Sequence, residues 1–438
     1  MESKHFESLY PESSRFEDIE KLLEFIKQGK SCQLVSIPGA GRSNLLGLLA
    51  YNTKIRIKHL GENQKWFHFV YVNLSEVKDK PLFDLNKLIF LSIADSLKDR
   101  GLKKEHDFLH KIFKEHLAFN DGVVLFQGLK EAIDFLTIEK ELTIVLLLDR
   151  FEAYLQILTS DFFNQLRTLR NRAKYRFSVI FSLTHPLEEL IEPHFLSDFY
   201  EFVEGNIVYL SLLDKPGIEF RISYFEKLAH KSFDKQLIDQ LIELTGGHGK
   251  LIKTCVEELS TSKKKHTSTQ DLSKFLIDQK NVKAALYEIW YSLSPSEQDA
   301  LINKSYENKY LKDIGLFRGN KITIPIFENF ISSLDVNSFK KIVFDPTKNE
   351  ITSGNLVLSD NLTGSEFMLL KFLLQNEGKT IEREELINNV WKNTKSVEGV
   401  TDQALDQLIF RLRKKIENNP NNPSHILTIK GIGIKFIS

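Results

Sequence analysis

The order of apolar and polar positions predicts an alternation of helices and buried strands in the first half of the chain. Residues 16–29 repeat apolar side chains at helical spacing, which predicts an amphipathic helix. Strands buried on both faces are indicated by mostly apolar runs at 33–37, 66–72, 142–148 and 177–183. Because these strands alternate with helical segments, we expect a parallel sheet in an α/β layer.

The second half of the chain has a mainly helical pattern, interrupted by a polar run at 261–270 that predicts a loop. Three further helices are expected near the C-terminus, at 365–374, 382–390 and 401–416. Thr363 and Glu366 have the spacing of a capping box at the first of these helices. Gly431 and Gly433 predict a tight hairpin, so the last hundred residues are expected to form three helices followed by a hairpin.

Composition and charge exclude several classes of protein. The 59 basic and 59 acidic residues among 438 give a formal net charge of zero, so any contact with nucleic acid must come from a local patch. Cys32 and Cys255 are too few for a disulfide framework or a cysteine-rich zinc site. The N-terminus has no basic-then-apolar run, and the most apolar stretch is too short to span a bilayer. We expect a cytoplasmic, multi-domain protein without a membrane partner.

One histidine pair has the spacing of a metal site. His106 and His110 stand four residues apart, which puts both imidazoles on one helical face. Asp107 replaces the glutamate that an HExxH metalloprotease needs as general base, and the same face offers no third ligand. We interpret the pair as solvated or packed histidines.

The third C-terminal helix separates into an apolar and a polar face on a 100° wheel. The polar face carries Gln403, Gln407, Phe410 and Lys414, flanked by Arg411 and Arg413. Gln and Arg pair bidentately with adenine and guanine edges, and Lys and Arg neutralise phosphates. An isolated helix of this kind also fits an ordinary solvated face. The hairpin that follows decides in favour of DNA, because three helices and a hairpin are the order of a winged helix.

The residues of this segment resemble a known family. LTGSEFMLLKFLL, TIEREELINNVW, TDQALDQLIFRLRKKIE and HILTIKGIGIKF look like the OmpR/PhoB-type effector domain of bacterial response regulators, over residues 342–438. The resemblance implies a bacterial, nucleoid-associated protein that binds duplex DNA. The roles that it implies are phosphate contacts by Arg383, Trp391 and Arg413, base contacts by Arg411 with Asp406 and Gln407 nearby, and wing contacts by Thr428 and Lys430.

Some positions depart from that family pattern. Phe410 and Leu408 stand where polar or basic residues are usual, and Ile434 replaces an aromatic residue after the second wing glycine. Phe410 is expected to meet thymine methyl groups or a protein partner. Residues 341–438 carry 13 Lys and Arg against 12 Asp and Glu, a net charge of +1. So weak a charge predicts modest affinity for one domain, and therefore self-association on repeated half-sites.

A glycine-rich turn follows the first predicted strand. SIPGAGRS, at 36–43, parallels the P-loop pattern GxxxxGK[ST], whose backbone N–H groups wrap phosphate. Ser36 replaces the first glycine and Arg42 the lysine, which keeps a cation but changes its geometry. Taken alone, the turn fits a chain reversal without function equally well. The residues expected to contact ATP or ADP are Gly39, Gly41, Arg42, Ser43 and Asn44.

Two further motifs favour a nucleotide site. IVLLLDRFE ends a buried strand at Asp149, where a Walker B carboxylate would hold Mg²⁺ together with Ser43. LTGGHGKLIK resembles the lid motif of AAA+ and STAND-type ATPases, and this resemblance places His248 and Lys250 near the sensor-2 position. The order of core, lid and winged-helix-like unit over 15–338 also resembles these ATPases.

The catalytic positions depart from those of an active ATPase. The residue after Asp149, usually acidic and used to orient the attacking water, is Arg150. Glu152 is the remaining candidate for this role, although its shift along the chain turns it elsewhere. Thr184 and His185 take the place of a polar sensor-1 residue, and no arginine finger is evident. We expect a nucleotide-binding fold with slow hydrolysis or none.

The sequence therefore predicts a multi-domain chain of α/β plus α class. The expected domains are an N-terminal helical entry at 1–30, a P-loop NTPase-like α/β core at 31–210, a helical lid at 211–275, a winged-helix-like unit at 280–338 and an OmpR/PhoB-type winged helix at 341–438. We interpret the chain as a sequence-specific DNA-binding transcriptional regulator whose P-loop module senses nucleotide or a partner and controls oligomerisation. The alternative is an active STAND- or AAA+-type ATPase in defence or DNA mobilisation that uses the winged helix for DNA localisation.

Overall fold

The computed structural model describes residues 5–191, 196–212, 214–229, 232–262, 268–334, 342–353, 356–392, 402–417, 420 and 423–437. The chain divides into two units. The first consists of Met1–Leu187 with Pro193–Ala285, and the second of Glu188–Glu192 with Leu286–Ser438.

A five-stranded parallel sheet forms the core of the first unit. Its strands are β1 (Cys32–Val35), β2 (Phe67–Asn73), β3 (Thr143–Asp149), β4 (Phe177–Leu183) and β5 (Ile207–Tyr209). They lie in the order β2-β3-β4-β1-β5, and every pairing is parallel. β3 and β4 are buried almost throughout, as their unbroken apolar sequences require. The predicted parallel α/β layer is confirmed.

Helices connect these strands and continue after the sheet ends. Their bounds are α1 (Phe16–Lys27), α2 (Arg42–Tyr51), α3 (Thr53–Leu60), α4 (Leu82–Asp99), α5 (Lys103–Leu117), α6 (Gly122–Asp134), α7 (Ser160–Ala173), α8 (Leu187–Leu190), α9 (Lys215–Ala229), α10 (Lys235–Thr245), α11 (Gly249–Thr261), α12 (Thr269–Ile277) and α13 (Lys280–Ser292). Shorter turns of helix are Phe6–Leu9, Gly61–Lys65, Leu74–Val77, Phe135–Glu139, Phe151–Ile157, Lys174–Arg176 and Ser197–Phe202. In α5, the rings of His106 and His110 meet edge to face with centroids 5.6 Å apart.

The second unit begins with a small helical part. Its helices after α13 are α14 (Pro295–Ile302), α15 (Lys309–Asp313) and α16 (Pro325–Ser332). A single antiparallel bridge between Phe317 and Ile322 precedes α16. The capping box at Ser294 and Glu297 fixes the start of α14, because each residue satisfies a backbone N–H group of the other.

The rest of the second unit is a winged helix behind a small sheet. In chain order its elements are β6 (Ile342–Asp345), β7 (Glu350–Ser353), β8 (Leu356–Val357), a short turn of helix Leu358–Asn361, α17 (Gly364–Gln375), β9 (Thr380–Ile381), α18 (Arg383–Val390), α19 (Asp402–Ile416), β10 (Ile426–Ile429) and β11 (Gly433–Phe436). β6, β7 and β8 form one antiparallel sheet, and β10, β11 and β9 form another.

Local signals in the sequence set the helix bounds of this winged helix. The capping box of Thr363 and Glu366 is present at the start of α17, as predicted. The expected cap of α19, Thr401, lies outside the described residues. The apolar side of α19 is buried in the core with the leucines of α17, which confirms the predicted wheel for Leu405, Leu408 and Leu412. Across the part of the chain that the structure describes, no helix has both the length and the apolar character needed to cross a membrane.

Candidate DNA interface and phosphate-binding loop

The side of α19 that faces away from the core is polar with one aromatic residue. Gln403, Asp406 and Gln407 are exposed, and the side chain of Phe410 is 42% exposed. The ammonium group of Lys414 lies 5.4 Å from the centre of the Phe410 ring. These five residues, all singled out from the sequence, lie on the side of α19 that faces away from the core, and their contacts with DNA stay predictions.

Arg411 does not belong to this exposed face. Its side chain is only 7% exposed, and its Nε lies 3.7 Å from Oε1 of Glu366, which is fully buried. Lys415 supplies a second cation, with Nζ 2.6 Å from Oε2 of the same carboxylate. A buried carboxylate is stable only when it is paired, and Arg411 turns inwards to pair with it. In this structure Arg411 therefore points away from the exposed face, and its contact with base edges stays a prediction.

Arg413 holds the wing. Its Nε and Nη2 donate to the carbonyl oxygen of Ile426 at 3.0 and 2.7 Å, and Nη2 also donates to Oγ1 of Thr428 at 2.8 Å. Burial lowers the pKa of the Arg413 guanidinium from its ordinary value. Two residues with predicted DNA contacts, Arg413 and Thr428, are thus joined to each other across α19 and β10. Lys430, at the turn of the wing, is exposed.

The other predicted phosphate contacts lie in different surroundings. Nη2 of Arg383 is 2.7 Å from Oδ1 of Asp406, and its Nε is 3.1 Å from Oδ1 of Asp402. The hydrogen bond with Asp406 is the main cause that raises the pKa of Arg383. Trp391 is 5% exposed and packs in the hydrophobic core. Its ring therefore belongs to the core, and the phosphate contact that the family resemblance implied for Trp391 stays a prediction.

In the first unit, the loop between β1 and α2 has the geometry of a phosphate cradle. Gly39 and Gly41 have φ angles of +79° and +116°, which side chains with a Cβ rarely adopt. Among the described residues, no group accepts a hydrogen bond from the N–H of Gly39, Gly41, Arg42 or Ser43. The side-chain nitrogen of Asn44 is likewise buried and without a described partner. Because α2 starts at Arg42, its positive dipole end meets these donors, as an anion site requires.

The start of α11 lies against this loop. Nδ1 of His248 accepts a hydrogen bond from the N–H of Leu251 at 3.2 Å, so the ring proton is on Nε2, which donates to the carbonyl oxygen of Pro38 at 2.8 Å. The N–H of Lys250 donates to the carbonyl oxygen of Gly39 at 3.0 Å. Burial lowers the pKa of His248 to about 4, which keeps the ring neutral near pH 7. The two residues predicted near a sensor-2 position thus contact the backbone of the loop.

Arg15 contacts the loop between β1 and α2, and sequence reasoning missed this contact. Its backbone has a φ of +54°, and its guanidinium donates from Nη2 to the carbonyl oxygen of Ala40 at 2.6 Å and from Nη1 to Oδ2 of Asp18 at 3.2 Å. Its backbone N–H donates to Oδ1 of Asp214 at 3.1 Å. Of these contacts, only the one with Asp18 had a local signal in the sequence, because Asp18 follows Arg15 by one helical turn.

The predicted catalytic carboxylates are both bound to neighbours. Asp149 is buried, and its two oxygens accept hydrogen bonds from the hydroxyls of Tyr71 at 2.6 Å and Ser182 at 2.9 Å. Glu152 lies 2.8 Å from Nη1 of Arg42, in an ion pair that is 22% and 12% exposed. The structure therefore joins Glu152 to the cation that replaces the P-loop lysine, a contact that the sequence did not indicate.

Comparison with known proteins bears on the second unit. Residues 360–436 match the family model described as "Transcriptional regulatory protein, C terminal". This segment is an OmpR/PhoB-type winged-helix DNA-binding domain. The chain is 33% identical over 110 residues to the probable transcriptional regulator ycf27 of Guillardia theta, covering 25% of this chain and 42% of that protein. It is 43% identical over 74 residues to the sensory transduction protein RegX3 of Mycobacterium leprae, covering 17% and 35%.

The chain spans less than half of the length of these curated relatives. Among solved structures, a Walker-type ATPase of Pyrococcus abyssi aligns with a TM-score of 0.43 and 14% identity, covering 76% of this chain and 98% of that one.

Glu366 of the OmpR/PhoB-type domain has a second role that sequence reasoning missed. Its capping-box spacing predicted a helix start, and the structure adds that the same carboxylate pairs with Arg411 and Lys415. These cations follow Glu366 by 45 and 49 positions, so no helical periodicity connects them. A signal was available in the wheel itself, where Arg411 borders the apolar face and needs a partner if it turns inwards.

Proposed function

We propose that the chain is a sequence-specific DNA-binding transcriptional regulator that acts on duplex DNA in the bacterial nucleoid. The observation that carries this proposal is the OmpR/PhoB-type winged helix with an exposed polar face on α19. Gln403, Gln407 and Phe410 are available there for base edges, and Lys414 and Lys430 for phosphates. Relatives that share this domain carry the names transcriptional regulator and sensory transduction protein.

The salt dependence of duplex binding tests the role of the two lysines. Fluorescence anisotropy with labelled duplex DNA should give an affinity that falls as salt rises, because each phosphate contact releases counterions. Substituting both Lys414 and Lys430 with alanine should reduce the salt slope by about two charges. The matched control is Lys348→Ala, an exposed lysine in the turn between β6 and β7. No duplex binding by the wild-type chain would refute the proposed function, and equal slopes for all three proteins would refute the phosphate contacts of Lys414 and Lys430.

The P-loop module is proposed to bind ATP or ADP with Mg²⁺. The backbone N–H groups of Gly39, Gly41, Arg42 and Ser43, together with the Asn44 amide, supply donors for phosphate oxygens. Bound Mg²⁺ would neutralise phosphate charge, and the hydroxyl of Ser43 and the carboxylate of Asp149 are its proposed holders. Saturable binding of a fluorescent nucleotide that is lost in Arg42→Ala would support this part.

The contacts of the two carboxylates support nucleotide binding without rapid ATP hydrolysis. Asp149 already accepts two hydrogen bonds, and Glu152 is paired with Arg42, so neither carboxylate is poised to orient a water molecule. The alternative, an active STAND- or AAA+-type ATPase, requires steady ATP turnover that disappears in Asp149→Ala. A colorimetric phosphate-release assay on both proteins distinguishes the two.

We infer that nucleotide or a protein partner sets the oligomeric state. The winged helix segment 341–438 has a net charge of only +1, so one copy is expected to bind DNA weakly, and two copies on repeated half-sites would bind more tightly. Light scattering of the full chain, with ADP, with ATP and without nucleotide, should show a change in mass that Arg42→Ala abolishes. A mass that is unaffected by nucleotide in both proteins would refute nucleotide control and leave control by a partner.

A further inference from the structure

The three arginines of the described winged helix contact other residues of the same domain. Arg383 is paired with Asp402 and Asp406, and Arg411 with the buried Glu366. Arg413 donates hydrogen bonds from Nε and Nη2 to residues of the wing. Guanine is read in the major groove chiefly by an arginine fork that donates to O6 and N7 together. The forks of Arg383 and Arg413 already donate to oxygens of the domain, and that of Arg411 is buried beside Glu366, so none of the three presents both donors to a base here.

The side chains left on the exposed face of α19 have a different chemistry. The carboxamides of Gln403 and Gln407 have no partner among the described residues, and a glutamine pairs bidentately with N6 and N7 of adenine. Phe410 follows Gln407 by three positions, so the two side chains are neighbours on the helix. An aromatic ring in the major groove contacts the C5-methyl group, which thymine alone carries.

Two observations favour DNA over a protein as the partner of Phe410. Within residues 402–417 it is the one large apolar side chain that is exposed, so this face of α19 has no contiguous apolar patch of the kind that marks many protein-interaction sites. The nearby Lys414 places a cation 5.4 Å from the ring centre, in the last turn of the helix. Residues near the start of a recognition helix meet bases and its later cations meet the backbone, so Lys414 is assigned to phosphate.

We propose that α19 reads A·T base pairs, with Gln407 on adenine and Phe410 on the thymine methyl group. This inference rests on the proposed function, because it names the class of duplex that the winged helix selects. It assigns specificity to two residues and removes the three arginines from base readout.

The test uses the full chain and one chemical change in the DNA. Duplexes are first selected from a random library by wild-type protein, and each thymine of the selected site is then replaced in turn by deoxyuridine, which lacks only the C5-methyl group. Loss of a methyl contact should weaken wild-type binding about fourfold at the contacted position. Phe410→Ala should bind the thymine and deoxyuridine duplexes equally. The control is Met368→Ala, which removes another exposed apolar side chain (39% exposed) from the same domain and should keep the fourfold difference.

Replacement of adenine by 7-deazaadenine, which lacks the N7 acceptor, tests Gln407 in the same assay. Wild type should lose about tenfold at one position, and Gln407→Ala should be insensitive there. Selected sites defined by G·C pairs, or deoxyuridine without effect on the wild-type protein, would overturn the inference while leaving DNA binding intact. A deoxyuridine effect that persists in Phe410→Ala would also overturn it. Absence of any selected duplex would overturn the proposed function together with this inference.

Discussion

Substitution of Glu366 by glutamine is expected to destabilise the second unit, because this buried carboxylate neutralises two cations. Lys415 and Arg411 lie 2.6 and 3.7 Å from its two oxygens, and their side chains are only 14% and 7% exposed. Oε2 also accepts a hydrogen bond from the backbone N–H of Thr363 at 2.8 Å. Glutamine retains the size and the capping role of the residue, so the substitution isolates the loss of charge.

The structure gives an order of magnitude for this loss. Removing one partner of a buried ion pair costs about 3–5 kcal/mol, since the other partner stays buried without compensation. The reciprocal change, Arg411→Met, should cost less, about 1–3 kcal/mol, because Lys415 still neutralises Glu366. For a unit of roughly 150 residues, each kcal/mol lowers the Tm by about 2–4 °C. The glutamine variant is therefore expected to melt several degrees below the methionine variant.

Intrinsic tryptophan fluorescence can follow this unfolding. Trp290 and Trp391 are buried in the second unit, 2% and 5% exposed, whereas Trp66 of the first unit is 41% exposed and changes its surroundings less on unfolding. The double variant closes a thermodynamic cycle and gives the coupling between Glu366 and Arg411 directly. The control is Glu385→Gln on the exposed side of α18, which should change the free energy of unfolding by less than about 0.5 kcal/mol.

One result would refute this reasoning. If Arg411→Met melts like the wild type and selectively loses duplex binding, Arg411 contacts DNA, and the inward ion pair is not its role. A loss of stability with duplex affinity unchanged below the melting transition would confirm that Arg411 supports the domain without touching bases.

Three further predictions follow from ion pairs and burial. Glu152→Gln should tighten fluorescent-nucleotide binding by up to about fivefold, because Arg42 no longer has to leave a carboxylate 2.8 Å away; equal affinities would show that the pair does not compete with phosphate. Replacing both Asp402 and Asp406 with asparagine should strengthen duplex binding and raise the salt slope by about one charge, since Arg383 then loses both carboxylate partners; an unchanged slope would contradict this. Burial lowers the pKa of His248 to about 4 from 6.5, so its neutral form contributes stability fully above pH 6.5, and this contribution is lost as the pH falls towards 4. Urea unfolding of the first unit should lose about 2 kcal/mol through this residue between pH 7.5 and 5, and the loss should shrink in His248→Asn.

The elements that could be predicted from the sequence are those with local signals. The apolar run at 142–148 became β3 (Thr143–Asp149), because a strand buried on both faces needs apolar residues at every position. The capping box at Thr363 marked the start of α17 for a similar reason, since its partner is three residues away. Neither prediction required knowledge of another part of the chain.

The contacts that escaped prediction join distant residues. Arg15 meets Ala40 and Asp214, 25 and 199 positions away, and neither partner lies at a spacing that a helix or a strand would single out. The inward turn of Arg411 also escaped prediction, because the helical wheel put it at the flank of the polar face, and a wheel gives an angle and not a depth. At the border of two faces, the burial of Glu366 decided which way the guanidinium turned.

These ion pairs also bear on how the proposed regulator would gain affinity. Arg383 and Arg413 donate hydrogen bonds to other residues of the domain. In the described part of α19 and the wing, Lys414 and Lys430 are then the principal cations near the proposed reading face. Two phosphate contacts give a shallow salt dependence and weak binding for one copy. A second copy held nearby raises the effective concentration of the reading helix to the millimolar range without any new contact. If one copy binds weakly, the occupancy of DNA depends on the nucleotide or partner that brings two copies together. A nucleotide-sensing or partner-sensing module needs this dependence in order to control transcription.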